Sequence, residues 1–258
     1  MKQYVSVFMM TLTSVRKKLI LILAVMTTAE CLLFALNCRS SLWMEMVIDA
    51  ARLEWIAALA FAALTAVLLS GKGSVRQDYT LLRLSLTDRQ VFHCRALCFA
   101  LCYLLLWALQ LLLALVFCKI FADLHQDLPG FGEQTAYLAL YRHPFLHSLL
   151  PMEELTRWMR NLLLLAGLSL TASNSARKPA GFLSWSTLIL AAVTIVTFSF
   201  LMGSSTSDWI ISIAALCLIL NVYTSGEWRK DTDREIPLKE EDIPSWYLEE
   251  EVEPCEEI

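Results

Sequence analysis

The chain has 258 residues, 57% of them hydrophobic and 18% charged, with a mean hydropathy of +0.55. That balance excludes an ordinary water-soluble domain, because the apolar runs are too long and too free of charge to be core helices. The net charge of −4 is segregated: residues 227–258 carry −9 and the rest about +5, as suits loops facing anionic lipid headgroups rather than a nucleic-acid partner.

Residues 1–18 come first. Tyr4, Phe8, Leu12 and Val15 share a helical stripe, and Arg16, Lys17 and Lys18 close it. This pattern predicts an amphipathic interfacial helix on the cytoplasmic leaflet. No small-residue cleavage pattern follows the next apolar run, so the segment does not read as a cleavable signal. Six spans follow, at about 19–36, 53–70, 96–121, 158–172, 182–202 and 209–223. The fold class is therefore all-α, a polytopic six-helix membrane domain over residues 19–226. Arg39 to Arg52 reads as a short loop with Trp43 as an interface anchor.

Between spans two and three lies a basic stretch. Val75, Tyr79, Leu82 and Leu86 recur at helical spacing, with Arg76 and Arg83 off that face. Thr87 and Gln90 have the spacing of a capping box for a helix continuing to about Phe121. Such a helix is longer than the hydrocarbon is thick, so its first turns, with Arg89 and Arg95, project on the charged side. The stretch is either a handle for a soluble partner or a loop anchored by its basic residues.

Asp123 to Arg157 is the longest internal connection and carries Pro129, Pro144 and Pro151. The fourth span has only a short uncharged part. Ser207 or Asp208 is expected to cap the sixth. With both termini cytoplasmic, 15 of the 21 Lys and Arg residues fall on inner segments. Residues 227–258 read as an acidic, disordered cytoplasmic tail, in which Trp246 could anchor a short docking motif.

Within the spans, Glu30 stands out as a carboxylate with no cation near it in sequence. It is either a functional group facing water or a partner, or a side chain that snorkels or simply lies near the outer interface. Gln110 could bond across helices. Cys94, Cys98 and Cys102 share a face, read as small packing residues rather than a metal or redox site. His143, His147 and Glu154 could in principle hold zinc for an intramembrane hydrolase, but His143 and His147 sit in a loop beside Pro144. No Walker A loop, nucleophile elbow or dinucleotide fingerprint is present, so no catalytic residue, metal or cofactor is assigned to this chain.

The assembled pattern resembles the membrane subunit of bacterial ATP-binding-cassette (ABC) exporters of the type-2 permease class. The resemblance rests on the basic amphipathic N-terminus, six spans and the basic helix before span three. It rests also on Tyr79-Thr80-Leu81-Leu82-Arg83-Leu84-Ser85-Leu86, similar to the T-L-x-R-L-P-x-S wording of that family. The chain departs from the family in lacking a proline after Leu84 and in its short turn between spans five and six. The resemblance implies a multi-pass protein of a bacterial plasma membrane that is not itself an enzyme. It implies a separate ATPase subunit that binds ATP and Mg. It also implies a coupling helix with Arg76, Tyr79, Leu82, Arg83 and Leu86, and a path shared with a second copy or a sister permease. Glu30 and Gln110 become candidates for lining that path. The alternative reading is a non-transporting membrane protein, a sensor or an assembly factor.

Overall fold

In a computed structural model, residues 2–39, 42–70, 87–125, 134, 138, 142–151, 155–177, 185–199 and 205–224 are described, and all lie in the first of two units, 1–226 and 227–258. The described residues form helices α1 (Lys2–Asn37), α2 (Met44–Ala51), α3 (Leu53–Ser70), α4 (Asp88–Leu124), α5 (Pro144–Leu149), α6 (Leu155–Arg177), α7 (Trp185–Ser199) and α8 (Ser205–Thr224). No strand occurs among them. Three helices are long and apolar enough to cross a membrane, namely α1, α4 and α8. The bent pair α2–α3 makes a fourth if it counts as one span, and α7 is a shorter apolar helix.

α1 runs unbroken for 36 residues, about 54 Å. The expected break between an interfacial segment and a first span is absent. Nothing between Lys2 and Asn37 is a glycine or proline that would interrupt the ladder. The hydroxyls of Thr11 and Thr27 bond back to the carbonyls of Val7 (2.9 Å) and Leu23 (2.8 Å), so they are satisfied within the helix.

The connection read as a loop after Arg39 contains α2. Met44, Val47, Ile48 and Ala51 are buried at i, i+3, i+4 and i+7, so one face of α2 is covered, with α1 packed against it. Arg52 ends α2 in the left-handed region (φ 54°) and turns the chain 45° into α3.

α4 follows the sequence expectation. It is 37 residues long, about 55 Å, and opens on a complete capping box. The Gln90 amide N–H donates to Thr87 Oγ1 (3.4 Å) and the Thr87 N–H donates to Gln90 Oε1 (3.1 Å). α6 is the hub, packing against α3, α4, α7 and α8. Gly167 allows the close approach, since a methyl there would come within 2.8 Å of Leu190 Cδ2 on α7 and 3.4 Å of Ile219 on α8. Buried polar residues Asn161, Ser169, Thr171, Ser173 and Asn174 stud α6. A helix packed on several sides by other helices need not be apolar all round, which is why its sequence gives the weakest span signal.

Candidate functional site

α1 and α4 lie side by side, and the pairing of their rings sets the register. Phe34 stacks on Phe117 with centroids 4.3 Å apart and planes at 11°. One turn back on α1 is Glu30, and two turns back on α4 is Gln110, the polar side chain that reaches the Glu30 carboxyl. Glu30 is 0% exposed and Gln110 is 3% exposed. Protein atoms cover the carboxyl, and Gln110 sits next to the midpoint of the apolar run 96–121. A carboxyl covered in this way does not reach out to water as a snorkelling side chain would. Neither Glu30 oxygen, nor Gln110 Oε1, has a partner of full hydrogen-bond geometry among the described residues. On the far side of Gln110 a cavity of about 20 Å³, enough for roughly one water, is lined by Ala57, Phe61, Leu106, Trp107, Phe145 and others. The Trp107 Nε1–H is also buried without a hydrogen-bond partner among the described residues.

A second polar cluster joins four helices. Asp208 is fully buried and pairs with Arg160 Nη1, while Arg157 Nε lies 3.5 Å from its other oxygen. Arg160 also donates from Nε (3.2 Å) and Nη2 (3.1 Å) to Asn161 Oδ1. Asn161 Nδ2 donates to the Ser148 carbonyl (3.2 Å), and Ser148 Oγ donates to the Phe198 carbonyl (2.6 Å). The chain of bonds thus links the starts of α6 and α8, α5, and the end of α7. Nearby in sequence to α5, His143 Nε2 meets Asp49 Oδ1 of α2 at 3.0 Å. The expected capping role of Asp208 is corrected: α8 begins at Ser205, and Asp208 lies inside it as an ion-pair partner.

The opposite ends of the same helices form another set. Ser173 Oγ of α6 donates to the Phe92 carbonyl of α4 (3.0 Å). His93 Nε2 of α4 lies 3.2 Å from the Tyr223 hydroxyl of α8, and Ser175 of α6 bonds Thr187 of α7 (3.1 Å). Midway, the Tyr103 hydroxyl of α4 donates to Thr65 Oγ1 of α3 (3.0 Å).

Of the residues singled out from sequence, the structure brings Glu30 and Gln110 together. Arg76, Tyr79, Leu82, Arg83, Leu86 and Trp246 lie outside the described residues, as do Glu153 and Glu154. Cys98 and Cys102 are buried, as packing residues would be. No cluster able to hold a metal ion occurs among the described residues. The Arg157–Arg160–Asp208 group was not anticipated. Its signal was two arginines three apart, one helical face, opening a weakly apolar span.

These features define an all-helical bundle with membrane-length apolar helices and a carboxyl buried between two of them. Compared with protein-family models, curated proteins and solved structures, the chain matches none.

Proposed function

We propose that this chain is the membrane-spanning permease subunit of an ATP-driven ABC exporter in a bacterial plasma membrane. It works as a pair, with a second copy or a sister permease, and hydrolyses no ATP itself. The observation that carries the reading is α4, about 55 Å long and firmly capped at Thr87. Its length exceeds the roughly 30 Å hydrocarbon core. Its first turns, with Arg89 and Arg95, therefore project on the side that the preceding sequence, with Lys72, Arg76 and Arg83, makes basic, giving a separate ATPase a rigid lever. The bonded helix ends give α4, α6, α7 and α8 the alternating directions that the last four of six crossings would have. The starts of α6 and α8 join the end of α7, while the ends of α6 and α8 join the starts of α4 and α7. Such alternation is what successive crossings require. ATP-driven closure of the partner would then shift the bundle between two conformations.

The test is affinity purification of the tagged protein from mild detergent, with and without Tyr79→Ala and Arg83→Ala. An ATPase subunit should co-purify with the wild type and be lost or weakened by the substitutions. Absence of an ATPase under conditions that keep other membrane complexes intact favours the sensor or assembly-factor reading instead.

A further inference from the structure

The Glu30–Gln110 pair presents a problem in charge. The helices packed against α1 are α2, α3 and α4. Their ionisable groups in the described residues are Glu45 and Asp49 on α2, Glu54 on α3, and Asp88, Arg89, His93, Arg95, Lys119 and Asp123 on α4, with the weakly acidic Cys94, Cys98, Cys102, Tyr103 and Cys118. The closest cations to Gln110 along α4 are Lys119 and Arg95, about 14 and 22 Å away along the axis. On α1 the basic triad ends twelve residues before Glu30, about 18 Å. The ion pairs at Asp208 lie elsewhere in the bundle. An ionised carboxylate covered by protein, with Gln110 reaching it and no cation in contact among the described residues, is too costly to persist, and such a group neutralises instead.

We propose that Glu30 and Gln110 form an intramembrane site for a single proton, carried on the Glu30 carboxyl and donated to the Gln110 amide oxygen. One O–H makes one Glu30 oxygen a donor and Gln110 Oε1 its acceptor, pairing two of the three unbonded oxygens. A metal cation fits less well, because three oxygens from two side chains fall short of the usual shell of six or more. Release of the proton requires water to enter the seam between α1 and α4, so separation of these helices and ionisation are linked. The site depends on α1 and α4 spanning a membrane and is independent of any ATPase.

The experiment is infrared difference spectroscopy of wild-type protein against Glu30→Gln in lipid vesicles at neutral pH. A carboxylic-acid C=O stretch should be present in the wild type, lost in Glu30→Gln, and shifted in Gln110→Leu, which removes the acceptor. Ionised-carboxylate bands in its place, or bands that change when sodium is added, overturn the proposal. A second measurement avoids any folding defect of the variants. Dicyclohexylcarbodiimide, which attacks protonated carboxyls in apolar surroundings, should modify Glu30 of the wild type by peptide mass, and an unmodified Glu30 counts against the site.

Discussion

Arg157 and Arg160 converge on one carboxylate. Asp208 is 0% exposed, and the arginine side chains are almost as deeply covered. Removing a buried charge from such a group leaves the others uncompensated, which costs far more than the pair itself contributes. Asp208→Asn should therefore destabilise the bundle by about 3–5 kcal/mol. Arg160→Met should come close to that figure, and Arg157→Met, whose contact is looser, should cost less. Thermal unfolding in detergent gives the ranking, and equal effects of the two arginine variants would refute it. Glu30 was legible in the sequence because a lone carboxylate in an apolar run is conspicuous under membrane rules. Asp208 was not, because in sequence it closes a short polar stretch that reads as a turn, where a cap is the commoner role, and its partner is 48 residues away.

The helices differ in how far their sequences announce them. α4 was readable from end to end, since the cap is a local exchange between Thr87 and Gln90 and the run beyond it is apolar. α2 was hidden because eight residues with Glu45 and Asp49 are too short and too polar to count as a span. α6 gave a weak signal for the opposite reason, that its surroundings are protein on several sides. Gly167 is the position where that surrounding is tightest. Gly167→Ala should be tolerated at a cost of about 1 kcal/mol, because the atom met is the mobile end of Leu190. Gly167→Leu should force α6 away from α7 and α8 and sharply reduce the folded yield on gel filtration. Equal yields for both variants would show that the approach at Gly167 does not matter.

At the scale of the molecule, the two sets of bonded helix ends make a claim about sidedness. Met46 on α2 and Thr224 at the end of α8 are both exposed and belong to opposite sets. In a background without native cysteines, Met46→Cys should react with a membrane-impermeant maleimide added outside cells. Thr224→Cys should react only after the membrane is opened. Reaction of both from one side would exclude the six-crossing arrangement. The membrane character of the chain was visible in composition because lipid contact demands apolar surface over a fixed length. Which helix stands at the centre was not visible, because contact with other helices imposes no such demand and hydrogen bonds between distant residues leave no local period.

The polarity of α6 has a consequence for the birth of the protein. An arginine entering a bilayer costs up to about 3 kcal/mol at its centre, less near an end, so the crossing proposed for α6 is unfavourable by itself. Its counter-charge arrives 48 residues later on the last helix. At ordinary elongation rates the nascent segment waits roughly 2–10 s for that partner. Chains cut short before α8 lack the carboxylate on which both arginines converge, so the folding of α6 into the bundle has to wait for the end of synthesis.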